Sequence, residues 1–184
     1  MQGTNPIFDS LTVNGALTAS SINDSGAATI GTLTVTGNTT IDGTLTVIGM
    51  TIVNNITING HIITSGNTPQ VTTLTAAGTN ATVTIAGNDT AGTITITTGS
   101  MITTINSKGQ TIISGNNPSA GNQASLIYSK SYISLPHVII TPDNAISAGI
   151  EVYPSNQNNN GFIVSLNKQP IPNTTYTFEY FVVQ

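Results

Sequence analysis

The chain has 184 residues, of which 5% are charged, and a formal net charge of −4 from three Lys, no Arg, five Asp and two Glu. A soluble domain usually carries about 25% charged residues, and a nucleic-acid binder needs a basic footprint, so this balance excludes nucleic acid as an expected partner. There is no Cys, which removes disulfide and thiolate chemistry.

Thr fills much of the space that charge leaves, occurring 33 times. Thr suits strands, while Asn and Gly suit turns. No window shows a period of 3.6, so the expected fold is all-β. The apolar fraction is 38% and its Ile, Val and Leu alternate regularly. Disordered chains instead combine low hydrophobicity with high net charge, so the chain is expected to fold.

Residues 1–10, MQGTNPIFDS, show neither a basic nor an apolar leader region, so no conventional signal peptide is expected. No apolar run approaches the length of a membrane-spanning helix, so no membrane insertion is expected. Ile7 and Phe8 stand beside Pro6 in a polar setting, and these ten residues read as an attachment peptide anchored by that apolar pair.

Residues 11–66 read as a repeat. Glycines stand at 31, 37, 43 and 49, six residues apart. Between them Leu33, Val35, Ile41, Leu45 and Val47 alternate with Thr34, Thr40, Asp42 and Thr46. A period of two inside each block reads as strand, with a Gly turn at each boundary. LTVNG at 11–15 returns as LTVTG at 33–37, LTVIG at 45–49 and ITING at 56–60, so the unit is about twelve residues with slips. Strands this short cannot bury an apolar face alone. Three copies around a shared axis would turn the apolar side chains inward and cover each strand's edges. That arrangement is favoured over a single-chain solenoid because the hexads pair in twos rather than threes. Leu33, Val35, Ile41, Leu45, Val47, Ile56 and Ile58 are the expected stalk core.

A Pro69 junction leads into residues 67–184. NGHIITSGNTP at 59–69 is echoed by KGQTIISGNNP at 108–118. Candidate strands are 70–76, 81–86, 92–98, 101–106, 110–114, 124–130, 136–141, 148–153, 161–166 and 174–183, divided by Gly, Pro and Asn turns. This pattern predicts an antiparallel, jelly-roll-like β-sandwich head. In the last strand Tyr176, Phe178, Tyr180 and Val182 share one face, and Thr177, Glu179, Phe181 and Val183 the other. Apolar residues on both faces predict a central strand or a subunit contact. The longest polar loop is Pro154–Gly161. Its Asn156, Gln157, Asn158, Asn159 and Asn160 offer amide donors and acceptors to sugar hydroxyls, and adjoining Tyr153 offers an apolar ring face.

The stalk motif LTVTGNTTIDGTLTV resembles the short-repeat shafts of bacteriophage and virus fibre proteins. GTNATVTIAGNDTAGTITITTG at 78–99, with LPHVIITP, GFIVSLN and TTYTFEYFVV in 135–183, resembles a fibre head. The resemblance implies an elongated, intertwined homotrimer on the virion surface, assembled in the host cytoplasm. It implies an N-terminal end bound to a capsid, portal or baseplate protein, and a head that meets a host glycan or protein. No residue-level site comes with it. The alternatives are a purely structural capsid-decorating fibre, and a glycan-active enzyme or monomeric carbohydrate-binding module.

Catalytic chemistry is not expected. A glycosidase needs two placed carboxylates, and Glu151 with Glu179 is the pair that turn contexts do not already explain; Asp24, Asp42, Asp89 and Asp143 sit in turn-like settings. His61 is a weak candidate for an axial metal site in a trimer, and a polar side chain beside a turn explains it better. No nucleophile elbow or phosphate loop is present, and no cofactor is expected. Lys108, Lys130 and Lys168 offer little scope for a Lys–Asn crosslink. The Asn-X-Thr/Ser sequons at Asn23, Asn38, Asn55, Asn80, Asn88 and Asn173 read as by-products of Asn–Thr richness.

Overall fold

The computed structural model describes Asn14 and residues 27–184. The attachment candidates Ile7 and Phe8 lie outside the described residues. The chain divides into two compact units, Met1–Ile56 and Thr57–Gln184.

In the first unit the described backbone bends at Gly31, at 36–37, at 42–43, at 48–49 and at Asn54. The bends keep the six-residue spacing of the glycines, and Asn54 takes the turn role without a Gly. No strand forms among its described residues, contrary to the alternating pattern. Alternation prepares a segment for a sheet, but a strand exists only where a neighbour completes the hydrogen-bond ladder. Here no segment among the described residues does so.

The second unit holds ten strands: β1 (Gln70–Thr73), β2 (Thr82–Gly87), β3 (Ala91–Thr97), β4 (Ile102–Ile105), β5 (Thr111–Ser114), β6 (Gly121–Ile127), β7 (His137–Pro142), β8 (Val152–Asn158), β9 (Gly161–Leu166) and β10 (Thr175–Val183). They form one sheet in the order β1-β6-β9-β8, a second in the order β2-β3-β10-β7, and a separate β4-β5 hairpin. All pairings are antiparallel. The two four-stranded sheets share one apolar core. Ala124, Leu126, Phe162, Val164 and Leu166 enter it from the first, and Ile94, Ile96, Tyr176, Phe178, Tyr180 and Val182 from the second. Antiparallel alternation explains the choice of residues, because every second side chain of β10 is buried. β10 is a central strand, paired on both sides by β3 and β7. Its outer face leaves Phe181 and Val183 partly exposed beside Ile139 of β7.

Two segments differ from the sequence expectation. The chain at 75–77 turns into a short 3-10 helix instead of extending β1. A second 3-10 helix, Ser147–Gly149, occupies the start of the strand expected at 148–153. Asn144 is the cause: its side-chain oxygen accepts from Ser147 N–H at 2.7 Å, and its carbonyl accepts from Ala148 N–H. This local capping competes with extension. β8 therefore begins later and runs through the segment expected to be a loop.

Strand register assigns each turn to one end of the domain. The Gly87↔Gly92, Ile127↔Gly161, Asn158↔Gly161 and Val183↔His137 pairs lie at one end, with the segments 88–90, 128–136 and 159–160. Thr64 meets Asn88 at this same end. The Thr82↔Thr97, Gly121↔Leu166 and Phe178↔Pro142 pairs point to the other end. That end carries segments 74–81, 143–151 and 167–174 and the β4-β5 hairpin.

Candidate functional site

The Thr64 end is built around Asn88, the turn residue between β2 and β3. Its side-chain oxygen accepts from Thr90 N–H at 2.9 Å and Ala91 N–H at 3.1 Å, which closes the turn. Its amide donates to the Thr64 carbonyl at 3.0 Å and hydroxyl at 3.1 Å. Its own carbonyl accepts from the Tyr180 hydroxyl. Asp89 beside it accepts from Ser129 N–H, the Ser129 hydroxyl and Lys130 N–H, and so fixes the chain leaving β6.

An aromatic cluster lies beneath. Tyr128 packs edge-on against Tyr132 at 4.9 Å, and Phe162 lies 6.1 Å from both Tyr128 and Tyr180. Burial pushes both the Tyr128 and Tyr180 phenols well above the usual tyrosine range, reinforced for Tyr128 by Tyr132, Asp89 and Tyr180, and for Tyr180 by Asp89 and Tyr132. Both are neutral at physiological pH. The Tyr128 hydroxyl is buried with no hydrogen-bond partner among the described residues.

The Asn-rich segment lies at this end too. It is the close of β8 and the two-residue turn into β9, not an open loop. The ladder slips between Ser155 and Asn158, a bulge that puts Asn156 in the left-handed region at φ 48°. Asn158 donates to Asn156 O at 3.2 Å and accepts from Asn160 N–H at 2.8 Å. Asn160 accepts from the Ser131 hydroxyl at 2.6 Å, and Asn159 donates to Ile133 O at 3.2 Å. Asn159 and Asn160 thus hold the 128–133 segment, a structural task the sequence did not announce. No hydrogen bond from the side chain of Asn156 or Gln157 is found among the described residues.

The bulge opens a depression of ≈ 210 Å³ against β6 and β9. Asn156, Asn158 and Asn160 line it with Ser125, and Ile127 and Ile163 supply its apolar part. Gly161 lies there because the strands approach closely: a Cβ would stand 2.0 Å from Leu126 O. Tyr153 is partly exposed on the same outer face of the sheet, its neighbour Ser165 paired with it across β8 and β9. Of the residues expected for recognition, three amides are therefore brought together. Gln157 is exposed outside the depression, and Ser125, Ile127 and Ile163 were missed. Their alternation in β6 and β9 marked them as strand residues, with no sign of the bulge beside them.

The stalk-core candidates are exposed within the chain, from 46% at Ile58 to 72% at Ile56. The same holds for Ile48, Met50, Ile52 and Val53, which were not singled out. Val35, Ile41, Val47 and Val53, at the same place in successive six-residue blocks, are less exposed than Leu33, Leu45 and Ile52. His61 is exposed, and no cluster of three metal-ligating side chains occurs among the described residues. Glu151 accepts from Asn167 just before β8, whereas Glu179 lies on the outer face of β10 in the other sheet, so the structure does not bring the two together. No family model matches the chain, and no curated protein or solved structure matches it either.

Proposed function

We propose that the chain is the subunit of a homotrimeric virion fibre, with residues 1–10 as attachment peptide, 11–66 as an intertwined β-stalk and 67–184 as a β-sandwich head. The observation that carries this reading is the repeat itself. Its described residues bend every six positions, expose a row of Leu, Ile and Val, and form no strand within the chain. Water does not favour such a row, and almost no charge keeps it solvated. A partner with the same repeat supplies both a matching apolar face and, at each step, a strand edge. Two copies would leave a ribbon with an open face, whereas three close around an axis.

On this reading Ile7 and Phe8 dock into a capsid, portal or baseplate protein, and the head meets the host surface. The end of the head away from the Thr64–Asn88 contact carries the β4-β5 hairpin and segments 143–151 and 167–174. All eight strand residues of that hairpin are exposed, including Ile102, Ile105, Ile112 and Ile113. An exposed apolar hairpin on a rigid scaffold suits contact with a protein or glycan receptor. The test is the solution mass of the full chain: a trimer supports the reading, and a monomer removes it.

A further inference from the structure

We propose that the depression beside the β8 bulge is a binding site for one ring of a neutral sugar. This deepens the attachment role above and rests on that reading for its biological use, though not for its chemistry.

Three features select the ligand class. Among the lining residues are amides and a hydroxyl, with no ionisable side chain, so nothing there favours an anion or cation. Amides both donate and accept, as sugar hydroxyls do. Ile127 and Ile163 give the apolar contact that the C–H face of a pyranose needs, and Ile127 is 47% exposed in the chain. The volume, ≈ 210 Å³, lies below the roughly 300–1,000 Å³ of sites for drug-sized molecules. It therefore suits a single ring.

The site is also prearranged. Asn158 is held from both sides by Asn156 O and Asn160 N–H, and Asn160 by Ser131. Fixed groups lose little entropy when a ligand arrives. Asn156 differs. The bulge holds it at φ 48°, a conformation that favours Gly or Asn. Of those two, only Asn presents an amide to the depression. Bulges commonly re-aim a side chain in this way. The site lies at the Thr64 end, on the outer face of the β6-β9-β8 sheet, so the ligand binds against a sheet face.

The experiment is saturation-transfer NMR on the full chain with galactose, glucose, mannose, N-acetylglucosamine and N-acetylgalactosamine, and with N-acetylneuraminic acid as the charged comparison. At least one neutral sugar should give a saturable signal in the millimolar range. Asn156→Gly keeps the left-handed backbone and removes the amide, so it should weaken binding about fivefold to tenfold, the loss of one or two hydrogen bonds. Gln157→Ala, on the same bulge but outside the depression, should bind as the parent does. No saturable signal from any neutral sugar would overturn the proposal. So would a signal from the charged sugar alone, undiminished binding by Asn156→Gly, or equal loss in Gln157→Ala. Light scattering on the same samples separates the two readings: a monomer that binds sugar keeps the site and removes the fibre, and a trimer that binds none does the reverse.

Discussion

Asn88 and Thr64 are joined by three hydrogen bonds across 24 positions of sequence: the Asn88 amide donates to the carbonyl and hydroxyl of the threonine, and that hydroxyl reaches the amide oxygen at 3.5 Å. The same Asn88 closes its own turn and accepts from Tyr180. One nearly buried side chain therefore ties the segment before β1 to the domain. Asn88→Ala keeps the backbone carbonyl that accepts from Tyr180 but removes the side-chain bonds to Thr64 and leaves the turn amides of Thr90 and Ala91 without their acceptor. It should destabilise the domain by about 2–3 kcal/mol, since unsatisfied buried groups cost about 1–3 kcal/mol each. Thr64→Val should cost about 1 kcal/mol or less. Urea unfolding of both variants checks the order, and equal midpoints would contradict it.

Tyr128 and Tyr180 have similar surroundings and opposite hydrogen-bond states. The Tyr180 hydroxyl donates to Asn88 O, while that of Tyr128 has no partner among the described residues. Tyr128→Phe should be neutral or slightly stabilising, because it deletes a buried polar atom that gains nothing. Tyr180→Phe should cost about 1–2 kcal/mol. Thermal melts of the two variants decide this, and a loss confined to Tyr128→Phe would reverse the assignment.

Both phenols have pKa values raised by burial. Below the unfolded tyrosine pKa of about 10, folded and unfolded chains hold these protons equally and the contribution is fully present. Above it the unfolded chain ionises first, and stability falls as pH rises toward the folded values. Denaturation midpoints should be insensitive to these groups from pH 7 to 9 and fall steeply beyond about pH 10. Replacing both tyrosines with Phe should flatten that fall. An unchanged slope would place its cause elsewhere.

Much of the β-domain was legible because its strands obey a simple alternation. All ten expected strands are present, and the buried face of β10 is Tyr176, Phe178, Tyr180 and Val182 as read. Asn80 adopts the left-handed conformation, as Asn tolerates in a turn. The echo at 59–69 and 108–118 also has a physical meaning: Gly66 and Gly115 both adopt positive φ, and Pro69 and Pro118 are both buried. Three things were not legible. Asn144 capping a 3-10 turn competes with a strand through hydrogen bonds that alternation does not register. The β8 bulge needs the register of β9 before it can be placed. The end at which Thr64 packs on the domain depends on one side-chain contact between distant residues.

The β4-β5 hairpin should be dispensable for folding. Its strand residues are exposed, and none belongs to the shared core. The Ile102↔Ser114 pair brings its two ends to within strand-pair spacing, about 4.5–5.5 Å between Cα atoms. Replacing 102–114 by a two-residue Gly link should change head stability by under about 1 kcal/mol. It should reduce adsorption to host cells if this end is the contact surface. Unfolding by urea and a cell-adsorption assay check the two halves separately, and normal adsorption would take the hairpin out of the recognition surface.

Self-association through the repeat is decided by size-exclusion chromatography with multi-angle light scattering. The expected particle has three times the 18.9 kDa chain mass. That particle should be lost in Val35→Asp, because an axial Val contributes about 1.5–3 kcal/mol on burial and the change is made in every copy. A wild-type chain that elutes as an 18.9 kDa monomer, or a Val35→Asp variant that remains a trimer of unchanged thermal stability, would contradict the account.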